Sequence, residues 1–383
     1  MLKIKLCILL KIICIVIFSY SNSSVLFASD NTNSHLRNVL VTSRIAVKSD
    51  IERLEFVANI QSFENELETR ARKLGYHVDD ETRFVLLIGD NVLESSYYKI
   101  FTHAFQKQGL NIVYLSYNTF PNDLEEKMKF LRYSNRLLGY SITTPHKLAV
   151  MKYMDELDTE AQVVGAVNSV LKTEEGKLIG YTFDGAGWVY WYTKYLNKSL
   201  KEKKMVVLGA GGAARSLIVA VLQTAPDMRI VVYDIETDIA NALVQDVKNW
   251  NPDFDISVPA LFVDTHIREA DIVANFTGLG KKDPKDMPDI DYSLMHGKVA
   301  VDANYRPVAK NGFLRSAEQG GATIYNGLGF LIGTILPFFE VLTGEQTDFN
   351  TLMDFAKVEL GLQEANGAKG IAIDIYPEAR WGL

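Results

Sequence analysis

The chain has 383 residues, enough for two domains that each bury a core, and its 48% apolar and 23% charged fractions are those of an ordinary folded protein. A net charge of −7 disfavours a nucleic-acid backbone as partner. Both cysteines, Cys7 and Cys14, lie in the opening segment, and His35, His77, His103, His146, His266 and His296 show no paired metal-ligand spacing, so no metal site is expected.

In chain order, Lys3 and Lys5 precede an apolar stretch from Leu6 to Tyr20, broken by Lys11, and Leu26-Phe27-Ala28 run into Ser29-Asp30. Residues 1–30 therefore read either as a signal peptide or anchor, or as an upstream extension with a misassigned start. Residues 31–82 form an N-terminal extension whose helix is expected over residues 49–75. Ser49 and Glu52 make a capping box there, Ile51, Leu54, Val57, Ile60, Phe63, Leu67, Ala71 and Leu74 recur at helical spacing, and Gly75 is the stop. From Arg83 strands and helices alternate: Phe84 to Ile88 is an apolar run, Tyr97 to Gln108 a helical pattern, and Ile112 to Leu115 another run. That βαβ rhythm implies an α/β domain over residues 83–196, built on a parallel sheet covered by helices. A charged patch from Asn197 to Lys204 then opens a second βαβ series over residues 197–327.

This second series carries a dinucleotide fingerprint. The strand Met205 to Leu208 runs into Gly209-Ala210-Gly211-Gly212-Ala213-Ala214-Arg215, and a helical pattern through Leu217, Val221 and Leu222 follows. Gly209 permits the tight turn, Gly211 lets the backbone approach a pyrophosphate, and Ala214 allows close packing of helix on strand. The next strand, Ile230 to Tyr233, ends in Asp234, whose carboxylate suits the ribose hydroxyls of NAD and repels a 2′-phosphate; Tyr233 to Thr237 contains no cation. NAD is the expected cofactor, with NADP left open, since Asp234 could instead cap the following helix.

The stretch Gly139-Tyr140-Ser141-Ile142-Thr143-Thr144-Pro145-His146-Lys147 resembles the substrate-loop signature of shikimate dehydrogenases. Gly165-Ala166-Val167-Asn168-Ser169-Val170 is similar to that family's GAVNT segment, and Gly180 to Gly187 to its GxNTDGxG segment. Further on, Asn275 to Gly280 is similar to the NATxxG loop, Asp302 to Pro307 to the DxxYxP loop, and Asn326 to Leu331 to the segment opening a helix that returns to the first domain. The motifs follow the family order from about Arg83 to Gly344.

The resemblance implies an N-terminal α/β substrate-binding domain, a Rossmann domain and a C-terminal return helix and tail over residues 328–383. It makes Lys147 the catalytic acid-base group and Asp184 its partner, a chemistry that alcohol oxidation by hydride transfer demands. It further makes Ser95, Thr143, Asn168, Tyr305 and Thr334 substrate-binding, and adds Thr277, Gly278 and Gly327 to the cofactor site. Departures gather around the substrate. Of the family's S-x-S pair, Ser95 matches the first serine but Tyr97 stands at the second, with Glu94 beside them; Thr334 replaces a substrate-binding glutamine and Thr182 an asparagine.

The expected activity is reversible hydride transfer between NAD(P) and a secondary alcohol of shikimate, quinate or a related cyclic polyol acid. Two alternatives stay open: a specialised dehydrogenase whose substrate lacks the usual carboxylate, and a catalytically silent nucleotide-binding protein. The expected partner is a small polar molecule, with a membrane engaged only through residues 1–30. A cytoplasmic location is favoured, because export would separate the enzyme from the nicotinamide pool; the alternative is export or membrane tethering through residues 1–30.

Overall fold

The computed structural model describes residues 33–93, 95–259, 263–305 and 310–360, with side chains from residue 52 onward. Residues 1–30, Glu94 and the Arg306-Pro307 pair, on all of which expectations fell, lie outside the described residues. Two compact units divide the chain, one ending at Asn59 and the other starting at Ile60.

Helix α1 is Asn33–Lys73, so it begins well before the expected position 49. Ser49 and Glu52 lie inside it, because a capping-box pattern is also tolerated within a helix when the upstream residues continue the same backbone. Its C-terminus agrees with expectation: Gly75 takes a φ of +87°, and Tyr76 N donates to Ala71 O at 3.1 Å. Within the second unit Phe63, Leu67 and Ala71 are buried, the spacing of one helical face.

The first sheet comprises β1 (Arg83–Gly89), β2 (Ile112–Asn118), β3 (Leu137–Ile142), β4 (Glu156–Leu157), β5 (Ser169–Lys172) and β6 (Leu178–Tyr181), in the order β2-β1-β3-β5-β6-β4. Helices α2 (Tyr97–Lys107), α3 (Leu124–Tyr133) and α4 (Thr159–Val164) connect these strands. β1 pairs parallel with β2 and β3, but β5 runs antiparallel to both β3 and β6. The expectation of a wholly parallel sheet is corrected here. A tight loop joins β5 to β6, with Gly176 at φ +81° and Thr173 N donating to Lys177 O at 2.9 Å, and so short a connection forces antiparallel pairing. Along β1 alternate residues serve two cores. Val85 and Leu87 join Tyr97, Phe101, Phe105 and Tyr114, while Phe84, Leu86 and Ile88 join Phe63, Leu67, Met128 and Leu131.

Helix α5 (Asp184–Tyr190) follows β6, and the second sheet begins at β7 (Lys204–Leu208). After it come α6 (Gly212–Thr224), β8 (Arg229–Tyr233), α7 (Thr237–Trp250), β9 (Asp255–Ser257), α8 (Val263–Glu269), β10 (Ile272–Asn275), β11 (Val299–Asp302), α9 (Gly312–Gln319) and β12 (Thr323–Tyr325). All its pairings are parallel, in the order β12-β11-β10-β7-β8-β9, which reverses direction between β7 and β10. This is the doubly wound dinucleotide-binding order, with its crevice at that switch point.

Helix α10 (Leu328–Thr343) then crosses α5, followed by α11 (Phe349–Glu359). The crossing is close because both helices present glycine: a Cβ placed on Gly187 would stand 2.5 Å from Thr334 N. α5 also packs on α6. The helix that opens with Asp184 is thereby held between the dinucleotide helix and α10.

Candidate active site

Lys147 lies in the loop after β3. The loop is fixed at both ends: Thr143 N donates to Ile88 O at 3.0 Å, His146 N to Thr143 O at 3.0 Å, and Val167 N to Lys147 O at 2.8 Å. The Thr144-Pro145 peptide is cis. His146 is buried, its Nε2 lying 2.7 Å from Thr119 O, and so braces the loop from behind.

Asp184 opens α5, where its negative charge suits the positive helix end. Its Oδ2 accepts from Lys147 Nζ and its Oδ1 from Asn168 Nδ2 at 2.7 Å. Asn168 Oδ1 in turn accepts from Phe183 N at 3.0 Å, so the amide orientation is determined by its partners. All three side chains are largely buried, and the Lys147–Asp184 pair retains only 16% and 10% exposure. Enough is open for a ligand to reach the ammonium, while the low exposure makes each polar contact strong.

Tyr97 also faces this region. Burial pushes its phenol well above the ordinary tyrosine range, with the nearby Thr334 and Ser141 hydroxyls working against that shift and the Asp184 carboxylate and Tyr305 adding to it. Thr334, buried on α10, donates from Oγ1 to Leu331 O at 2.7 Å. Thr143 is half-buried at the start of the lysine loop. Ser95 stands just before α2, where its Oγ accepts from Tyr97 N at 3.3 Å and shapes the start of the helix.

The dinucleotide side is built from backbone. Gly209 has a φ of +101°, and a Cβ there would meet the carbonyl carbon of Phe276 at 2.7 Å, so only glycine fits the turn. No atom lies within 4 Å of a Cβ built on Gly211 or Gly278, which leaves open space beside the first turn of α6. That cradle and the free N–H groups of the helix start suit a pyrophosphate. Gly212 begins α6, Ala210 and Ala214 are buried in the strand-helix joint, and Ala213 is half-buried between them.

Asp234 Oδ2 accepts from Ala210 N at 2.8 Å and Oδ1 from Glu236 N at 2.9 Å. Glu236, not Asp234, is the N-cap of α7, so the carboxylate belongs to the glycine turn rather than to the helix cap. The Asn275 loop is tied similarly, with Asn275 Nδ2 donating to Asp302 at 2.7 Å and Thr277 Oγ1 to Asn275 Oδ1 at 2.7 Å. Gly327 N donates to Asn304 O at 3.0 Å just before α10. Burial pushes the Asp302 carboxyl up to about 6 against hydrogen bonds from Asn311, Asn304 and Asn275.

Sequence reasoning passed over several residues. Ser216 Oγ, fully buried on α6, accepts from Gly185 N at 2.7 Å and so anchors the start of α5. Ser141, Tyr114 and Ser116 bring buried hydroxyls to the sheet face beside Tyr97. Glu160 on α4 has a buried Oε1 with no hydrogen-bond partner among the described residues, and burial together with Asp158 and Asp184 pushes it up to about 7. Only Ser141 lay inside a quoted motif; the others are brought in by tertiary contact alone.

The family model for the shikimate dehydrogenase substrate binding domain matches residues 87–170. The shikimate dehydrogenase (NADP+) of Alkaliphilus oremlandii is 35% identical over 283 residues, covering 70% of this chain and 94% of that protein. Among solved structures, shikimate 5-dehydrogenase of Thermus thermophilus, in complex with NADP(H) and shikimate, is 28% identical with a TM-score of 0.64, covering 73% of this chain and 100% of that one. The enzyme of Listeria monocytogenes, in complex with shikimate and NAD, is 26% identical with a TM-score of 0.65, covering 73% and 98%. With a buried lysine–aspartate pair, a glycine turn of the dinucleotide-binding kind and a relative of this identity along most of its length, the chain belongs to the shikimate dehydrogenase family and is an oxidoreductase of that type.

Proposed function

We propose that the protein catalyses reversible hydride transfer between a nicotinamide dinucleotide and the secondary alcohol carbon of a cyclic polyol related to shikimate or quinate. One observation carries this reading. Lys147, paired with Asp184, lies against the dinucleotide turn, its Cδ only 3.5 Å from a Cβ built on Gly212. A proton-carrying group and the place for a cofactor therefore adjoin the same small space.

When bound, the dinucleotide supplies the hydride acceptor or donor. In the oxidising direction the carbinol C–H bond breaks with its electron pair leaving as hydride, and the C–O bond becomes a carbonyl. The hydroxyl proton goes to Lys147 Nζ, which must be within hydrogen-bond reach of that oxygen. Asp184 aims the amine and stabilises the ammonium once formed, and Asn168 holds Asp184. Reduction runs the same steps backwards.

NAD is the preferred cofactor in this reading. The Asp234 carboxylate stands at the end of β8, and Tyr233 to Thr237 offers no cation for a 2′-phosphate. Relatives in the family carry either cofactor, NADP(H) in the Thermus thermophilus complex and NAD in that of Listeria monocytogenes. We place the enzyme in the cytoplasm, where nicotinamide cofactors are recycled; no helix among the described residues is long and apolar enough to cross a membrane. The testing experiment is a panel of cyclic polyols, shikimate and quinate included, assayed with NAD and NADP in parallel. Dinucleotide-dependent turnover supports the proposal, and none on any member with either cofactor refutes it.

A further inference from the structure

We infer that Asp302 is a positioning residue for dinucleotide binding: its carboxylate closes a ring of hydrogen bonds that holds the loop of residues 275–280 in shape against the glycine turn. This rests on the dehydrogenase reading above and adds a fully buried residue that sets cofactor affinity without touching the cofactor.

Strands β10 and β11 pair in parallel, and their last residues, Asn275 and Asp302, stand in register. Asp302 Oδ2 accepts from Asn275 Nδ2 at 2.7 Å and from Asn311 Nδ2 at 2.9 Å, and its Oδ1 accepts from Asn304 N at 2.7 Å. From Asn275 the bonds run on along the loop. Asn275 Oδ1 accepts from Thr277 Oγ1 at 2.7 Å, and Thr277 Oγ1 accepts from Leu279 N at 3.1 Å. Leu279 O then accepts from Asn304 Nδ2 at 3.0 Å, which returns the ring to Asp302. Asn311 braces it from outside: its Oδ1 caps α9 at Leu314 N, and a Cβ built on Gly280 would stand 2.5 Å from its Nδ2.

The ring requires an acceptor with two oxygens at its centre. All three groups facing the Asp302 carboxylate are N–H donors, and an amide there would turn an N–H of its own toward one of them. Bonds from these donors to a buried, ionised carboxylate are the strong kind. What they hold lies at the dinucleotide turn. A Cβ built on Gly209 would meet the carbonyl carbon of Phe276 at 2.7 Å and Thr277 N at 2.9 Å, and Phe276 N donates to Leu208 O at 2.7 Å. The loop therefore borders the crevice between β7 and β10, where a doubly wound sheet takes its dinucleotide. A loop already fixed in shape spares binding the cost of ordering it.

The test measures NADH and NADPH binding by fluorescence, together with steady-state kinetics, in the full chain. Asp302→Asn keeps the size and removes the charge. It should raise the dinucleotide Kd and KM about tenfold, the loss of one or two hydrogen bonds to a charged group, while kcat at saturating dinucleotide and the polyol KM change by less than about twofold. Asn304→Ala keeps the backbone N–H that Asp302 accepts and cuts the ring only at Leu279. It should raise the dinucleotide Kd about threefold at an unchanged melting temperature. Unchanged dinucleotide affinity in Asn304→Ala overturns the inference, even where Asp302→Asn fails to fold. A fall in kcat or in melting temperature with dinucleotide affinity intact overturns it too, since a purely structural role would give that result. Binding needs no substrate, so these outcomes are separate from failure of the dehydrogenase reading, which an inert polyol panel would show.

Discussion

In the proposed mechanism Lys147 and Asp184 serve one proton transfer, and the geometry makes them a single unit: one carboxylate oxygen takes the ammonium, the other takes Asn168. Lys147→Ala should therefore lower kcat by roughly two to four orders of magnitude, while NADH binding, measured by fluorescence, stays close to wild type. Asp184→Asn should also slow turnover, and the double variant should be little worse than the more damaged single one, as read from single-turnover rates. Near wild-type rates in Lys147→Ala would remove the mechanism. Asp234→Ala should narrow the gap between NAD and NADP, chiefly through their Michaelis constants. Because Asp234 also holds Ala210 N at 2.8 Å, affinity for both cofactors should fall somewhat. An NADP preference in the unmodified protein would contradict that assignment.

At the scale of elements, α5 carries Asp184 into the site, and its position is set by two contacts that no local pattern reveals. Ser216 accepts from Gly185 N, and Gly187 lies against the backbone of α10. Gly187→Ala would drive a methyl to 2.5 Å from Thr334 N, where a backbone atom cannot yield cheaply. Overpacking of this kind costs about 1–3 kcal/mol. The variant should thus show a lower urea midpoint at unchanged m and a reduced kcat, since the tilt of α5 positions the carboxylate. An unchanged midpoint would show that the two helices separate without cost. Sequence rhythm located these helices well: α2 and α6 begin where apolar periodicity or glycine chemistry places them. The antiparallel strands β5 and β6 were missed because four-residue strands offer too little alternation to be read, and pairing direction depends on which partner the chain finds.

For the molecule as a whole, α4 packs on α6, and Glu160 is caught with a buried oxygen that has no hydrogen-bond partner among the described residues, near Asp158 and Asp184. Its carboxyl is raised from 4.5 to about 7, so the folded state holds that proton more tightly than the unfolded chain. Its contribution to stability is fully present below pH 4.5 and is lost as pH rises through 7. Glu160→Gln, neutral at every pH, should leave the melting temperature near that of wild type at pH 5 and raise it at pH 8. The gain at pH 8 should be on the order of 2 kcal/mol. Parallel melting curves for the two proteins across pH 5 to 8 would refute the assignment.

What the sequence determined by itself is local and backbone-driven. The strand Lys204–Leu208 running into Gly209 and Gly211, and the order of loops bearing Lys147, Asn168 and Asp184, are consequences of neighbouring residues and could be read in one dimension. Tertiary structure alone decided what those loops meet. Asn168 was legible as a site residue, but its part in clamping Asp184 was not, because that bond joins the start of β5 to the start of α5. Tyr97 shows the same limit from the other side. Its place in the sequence marked a departure, yet its buried hydroxyl beside Thr334, Ser141 and Asp184 arises only when α2, β3, α5 and α10 converge. Burial, and with it the strength of every polar contact in the site, is a property of such convergence and not of any single segment.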